Sequence, residues 1–131
     1  MGSERPRLLI ADDDAVVRAT LSAQLARDFE IVGAATDTEN AVALAGEHRP
    51  DAALIDVEMP GGGGLEAVRQ IATRSPGTCM VVLSGDESSE REHELLEAGA
   101  SAYLCKGLGG REIAGALTEA LANPRDGAQR C

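Results

Sequence analysis

The residues of this chain that could carry chemistry stand at the ends of short apolar runs. Leu8-Leu9-Ile10-Ala11 runs into Asp12, Asp13 and Asp14, and Ala52-Ala53-Leu54-Ile55 stops on Asp56. Cys79-Met80-Val81-Val82-Leu83 stops on Ser84, and Ser101-Ala102-Tyr103-Leu104-Cys105 stops on Lys106. If these ends converge, acids, a hydroxyl and an ammonium share one site. Carboxylates about 4 Å apart repel by about 4 kcal/mol at an effective dielectric of about 20, so the acids call for a cation beyond Lys106. With no His or Cys beside them, their all-oxygen donor set selects a hard ion such as Mg2+, which takes one or two carboxylates together with a phosphate oxygen. An aspartate can accept a phosphoryl group where a metal and a fixed cation neutralise the oxygens in transfer. Asp56 is the candidate acceptor, with Ser84 and Lys106 supplying further contacts.

Convergence depends on the elements that carry these residues. The four runs, with Glu30-Ile31-Val32-Gly33-Ala34-Ala35, read as strands, most of them apolar enough to be buried on both faces. Between them lie helical patterns. Val17, Leu21 and Leu25 recur every four residues through Asp28, with Val16 and Ala23 widening the stripe, and Asp14 reads better as the cap of this helix than as a ligand. Asp37 or Thr38 caps a second helix that uses Ala41, Val42, Leu44 and Ala45 before Arg49-Pro50 stops it. Leu65, Val68 and Ile71 or Ala72 predict a third, to about Arg74. A fourth begins at Ser89, with Glu92 placed for a capping box and only Leu95, Leu96 and Ala98 as a thin apolar face. Ile113, Leu117 and Leu121 give the fifth, which ends near Asn123-Pro124. Five strands alternating with five helices call for a doubly wound α/β parallel sheet in one domain over residues 1–124, leaving 125–131 as a polar tail. Right-handed crossovers put the strand ends on one rim, where such sheets hold their ligands. The glycines Gly61 to Gly64 read as a tight turn into the third helix, since a phosphate loop would need a lysine and hydroxyl beside them.

Composition narrows the partners. The chain has 131 residues and a formal charge of −10, which disfavours direct binding to nucleic acid or to anionic membranes. No apolar run approaches the roughly 18 residues of a membrane span, and Met1 to Arg7 lacks a signal-peptide core, so a cytoplasmic location is expected. Cys79, Cys105 and Cys131 form no Cys-x-x-Cys pair and read as two packed thiols and one tail thiol. His48 and His93 read as surface residues.

From Leu8 to about Leu121 the chain resembles the receiver domain of two-component response regulators. The resemblance rests on Asp12-Asp13, on Asp56-x-x-Met59-Pro60 with Gly64, on Ser84 after its apolar strand, and on Tyr103-x-x-Lys106. It implies a flavodoxin-like (βα)5 fold with strand order 2-1-3-4-5. It further implies that Asp56 accepts phosphate from a sensor histidine kinase or a phosphotransfer protein. Mg2+ would be held by Asp13, Asp56 and the backbone carbonyl of Glu58, with Asp12 acting through water. Ser84 and Lys106 would bind the phosphoryl oxygens. Tyr103 would turn inward as Ser84 moves, so that the added charge biases a surface of the fourth helix, fifth strand and fifth helix, read by a partner or by a homodimer. Such a domain signals rather than turning over a substrate, apart from assisting its own phosphorylation and slow dephosphorylation. The glycine-rich loop and Lys106-Gly107 are similar to those of receivers attached to helix-turn-helix outputs of the nitrate-response type.

Three departures qualify the resemblance. Gly107 stands where the family often has a proline after a cis peptide, and a cis bond without proline costs about 3 to 4 kcal/mol. Ser84 replaces the commoner threonine. Glu58 and Asp86 occupy positions that in the family tune how fast water removes the phosphate. Two rivals compete with this reading. Asp12-Asp13-Asp14 also resembles the first motif of haloacid-dehalogenase-type phosphohydrolases, with Asp12 as nucleophile and Asp14 as general acid, although that would leave Asp56 without a role. The other rival is a receiver that works without phosphorylation, as an interaction module.

Overall fold

The computed structural model describes residues 5–85, 89–123 and 128–130. Its elements run β1 (Arg7–Ala11), α1 (Ala15–Leu25), β2 (Glu30–Ala35), α2 (Thr38–His48), β3 (Ala52–Asp56), α3 (Gly63–Arg74), β4 (Cys79–Ser84), α4 (Ser89–Ala98), β5 (Ala102–Cys105), α5 (Gly110–Ala122) and β6 (Ala128–Arg130). All the strand pairs are parallel, and the order β2-β1-β3-β4-β5-β6 contains the expected 2-1-3-4-5. β6 is a correction, because residues 128–130 belong to the sheet and not to a polar tail. Three residues are too few to show periodicity, and the open edge of β5 offers unpaired N–H and C=O groups to any strand that reaches it.

β1, β3, β4 and β5 are apolar along most of their length because both of their faces are buried, whereas β2 is largely half-buried or exposed. Leu8, Ile10, Leu54, Val81 and Leu104 pack in one cluster with Leu21, Leu25 and Phe29 around α1, and with Ile113 and Leu117 of α5. The alternate residues Leu9, Ile55, Val82 and Tyr103 pack in another, with Ala41 and Val42 of α2, Val68 and Ile71 of α3, and Leu95 of α4. Leu95 is the one buried residue of α4, so its face is as thin as its sequence predicts.

Helix ends follow side-chain chemistry. Asp14 Oδ1 accepts the N–H groups of Val16 and Val17 at 2.8 and 3.2 Å, which caps α1. Asp37 caps α2 by accepting from Asn40 N, while the Thr38 hydroxyl donates to the carbonyl of Gly63. The stripe of α1 is narrower than predicted. Val16 and Val17 are 73% and 38% exposed, and Val16 lies about 140° around the helix from the buried Leu21. Ala23 is also exposed, lying about 200° around the helix from Leu21 and Leu25. The helix stops at Leu25, whose carbonyl accepts from both Asp28 N and Phe29 N. Cys79 is a buried free thiol as expected, whereas Cys105 is disulfide-bonded, a pairing its place in an apolar strand did not signal. Among the described residues no helix is long and apolar enough to cross a membrane.

Candidate functional site

β1 and β3 lie side by side, so the acids that follow them meet at the rim. Asp12 and Asp56 are 3% and 2% exposed, Asp13 is exposed, and a carboxylate oxygen of each lies within 4.8 Å of the others. The backbone fixes these positions. Asp12 N donates to Ala35 O at the end of β2, Val57 N to Leu83 O of β4, and Lys106 N to Ser84 O. Each strand end is thus tied to its neighbour one residue past the sheet.

Side chains complete the arrangement. Lys106 Nζ reaches Asp56 Oδ1 at 3.0 Å and Glu58 Oε1 at 2.8 Å, and Glu58 N also donates to Asp56 Oδ1, at 3.0 Å. Asp12 Oδ1 accepts from Asp14 N at 2.9 Å, and the Arg18 guanidinium donates to the carbonyl of Asp12 at 2.8 Å. Burial pushes the Asp12 carboxyl above its ordinary pKa, aided by the charge of Asp56 and opposed by the Asp14 N–H. For Lys106 burial acts downward, but hydrogen bonds and charge from Glu58 and Asp56 outweigh it and raise the ammonium above its ordinary value. Lys106 therefore stays charged throughout the physiological range.

Asp12, Asp13, Asp56, Glu58 and Lys106 line one cavity of about 410 Å³, floored on the α1 side by Val17 and Leu21. Ser84 does not line it. Its side chain is fully buried at the end of β4, and the neighbouring Gly85 is the residue that borders Glu58 and Lys106. Tyr103 is fully buried as well, in the cluster that includes Leu95. Asp86 lies outside the described residues. A larger cavity, about 680 Å³, runs between α1 and α5 past Gln24, Arg27 and Thr118, but no comparable set of carboxylates converges there.

The glycine run acts as the turn its sequence suggested. Gly61, Gly62 and Gly63 have φ of 89°, 117° and 77°, a left-handed course that side chains resist. A Cβ on Gly64 would lie 2.6 Å from Val57 Cα, so only glycine lets α3 begin this close to the end of β3. The Lys106–Gly107 peptide is trans, with Gly107 at φ 105°.

These features together match one family. The response regulator receiver domain family matches residues 8–118. The chain belongs to that family. The receiver is 36% identical over 121 residues to the response regulator GacA of Pseudomonas aeruginosa, covering 91% of this chain and 56% of GacA. It is 40% identical over 101 residues to the transcriptional regulatory protein PdtaR of Mycobacterium tuberculosis, covering 76% of this chain and 49% of PdtaR. The receiver therefore spans about half the length of these curated relatives. In structure it is similar to the signal receiver domain of NarL from Mycobacterium tuberculosis, with a TM-score of 0.88 at 26% identity over 92% of this chain and 99% of that one. As a member of this family the receiver is a signalling domain of two-component systems rather than a typical enzyme. That removes the phosphohydrolase alternative, in which Asp14 would act as an acid. In the structure its Oδ1 is already engaged as a helix cap.

Two features were missed in the sequence. Arg18 braces the loop of acids from one turn into α1, and the sign of this was a lone basic residue four positions after the capping Asp14. The Glu58 side chain binds Lys106, a contact outside the two parts the sequence suggested for this residue, a backbone carbonyl ligand and a position that tunes phosphate removal by water.

Proposed function

We propose that the receiver accepts a phosphoryl group on Asp56 from a phosphohistidine of a sensor histidine kinase or phosphotransfer protein. The observation that carries this is the buried Asp56 carboxylate, held by Lys106 at 3.0 Å beside Asp12 and Asp13. An Asp56 oxygen attacks phosphorus, the P–N bond breaks, and the electron pair returns to the imidazole. Lys106 and, after a local shift, the Ser84 hydroxyl neutralise the phosphoryl oxygens. The clustered carboxylates of Asp12, Asp13 and Asp56 form an all-oxygen donor set that fits Mg2+, with the Glu58 carbonyl as a further ligand and Asp12 acting through water. The ion supplies positive charge to the oxygens in transfer. Phosphorylated Asp56 carries about −1.5 to −2 of charge on its phosphoryl oxygens in place of the single charge of the carboxylate, which biases α4, β5 and α5 through Ser84 and Tyr103 toward a partner-binding or homodimeric form.

The name of one relative, the transcriptional regulatory protein PdtaR, concerns transcription, so we read the receiver as the controlling domain for such an output in the cytoplasm, with no nucleic-acid contact of its own. Incubation with acetyl phosphate and Mg2+ followed by intact mass measurement tests the reading. Wild type is expected to gain one phosphoryl mass, lost in Asp56→Asn and on chelation of the metal. An adduct that persists in Asp56→Asn, or no adduct in wild type, overturns it.

A further inference from the structure

We propose that Cys105 is joined to Cys131 in a redox-switched disulfide that holds β6 against β5, and that a cellular dithiol opens the bond to uncover the β5 edge. The chain has three cysteines. Cys79 is a free thiol and Cys105 is disulfide-bonded, which within one chain leaves Cys131 as the partner. The sheet leads to the same pair. β6 runs parallel to β5 with Ala102 opposite Ala128, Tyr103 opposite Gln129 and Leu104 opposite Arg130. One more step of this register sets Cys105 opposite Cys131, and neighbouring strands lie about 4.8 Å apart, within the reach of an S–S bond.

The bond decides whether β6 stays. Ala128-Gln129-Arg130 is a strand of three residues with one alanine as its apolar content, so backbone pairing has little help against the entropy lost in ordering it. A covalent tie confines the segment in advance, and cutting the tie lets β6 leave. On its other side β5 pairs with β4, with Cys105 opposite Ser84, and Lys106 of the acidic site is the next residue. While the disulfide stands β5 is held from both edges, and after reduction from one. The use of that edge by a partner rests on the acceptor reading, whereas the bond and its opening do not. In the cytoplasm expected for this receiver disulfides are rare and serve redox sensing more often than architecture. A dithiol of the thioredoxin class supplies the electrons. One of its thiolates attacks a sulfur of the bond, the other sulfur leaves as a thiolate and takes a proton, and the second thiol of the donor resolves the mixed disulfide. The donor ends as a disulfide and the receiver with two thiols, and oxidised glutathione remakes the bond by the reverse exchange.

Thiol counting in the full chain tests the bond. After equilibration with oxidised glutathione, denaturation and iodoacetamide, wild type is expected to carry one label, on Cys79, with a peptide pair linking Cys105 to Cys131, and to carry three labels after prior reduction. Three labels in the oxidised sample, a bond to Cys79 or a disulfide-linked dimer overturns the proposal. A thioredoxin-class dithiol is expected to open the bond in the native fold, and a bond that yields only in denaturant is a fixed staple that overturns the switch. Hydrogen exchange reads the edge. Reduction is expected to speed exchange of β5 amides in wild type by about ten-fold or more, while Cys131→Ser exchanges at the faster rate in both redox states. Exchange in β5 that reduction leaves unaltered in wild type overturns the latch. Neither readout uses phosphate, so an Asp56 that takes no phosphoryl group refutes the acceptor reading while the thiols and amides still decide the switch.

Discussion

Asp12 has lost nearly all its water, keeps one N–H from Asp14 and faces the charge of Asp56, so its folded pKa lies above its unfolded one. Such a carboxyl contributes stability below its unfolded pKa and loses it as pH rises through the folded pKa. Asp12→Asn is therefore expected to be more stable than wild type at neutral pH in chelator, by urea denaturation, with the gap closing in acid. Excess Mg2+ reverses the order if wild type binds it and the variant does so weakly. An ion bound only by the folded state adds about 2.7 kcal/mol at about a hundred-fold excess over Kd. Arg18→Ala removes the bond to the Asp12 carbonyl, for a loss of about 1 kcal/mol and weaker Mg2+ binding by calorimetry. Unchanged Mg2+ affinity would show that the brace serves the helix and not the acids.

Two glycines give opposite expectations at the level of the helices. Gly64→Ala forces a Cβ against Val57 Cα and is expected to destabilise by about 1 to 3 kcal/mol in urea. Gly115 lies in α5 with open space where its Cβ would stand, so Gly115→Ala is expected to stabilise by about 0.5 to 1 kcal/mol. The strands and helices were legible in the sequence wherever burial on a face imposed a period, as in Val81-Val82 or in Ile113 and Leu117. The acidic rim was legible because the apolar runs of β1 and β3 each stop on carboxylates, which an apolar interior does not hold without a partner. Contacts made across the fold by flexible side chains leave no period, which is why Arg18 on Asp12 and Glu58 on Lys106 became visible only in three dimensions.

The fold sets a gradient of firmness across the whole molecule. β1, β3 and β4 are buried on both faces, while α4 holds on by Leu95 and a few half-buried neighbours. Amides of α4 are expected to exchange with deuterium faster than those of β3, because opening α4 exposes little apolar surface. Beryllium fluoride with Mg2+ should then shift backbone NMR signals of α4 and β5 as well as those around Asp56. Shifts confined to the contact residues would count against propagation to that surface. Tyr103 has a practical consequence here. The chain has one tyrosine and no tryptophan, and that ring is wholly buried on β5, in the cluster it shares with Leu95. Excited where phenylalanine does not absorb, the protein thus emits from a single native fluorophore inside the part proposed to move, and stopped-flow mixing can test for a response in unlabelled protein.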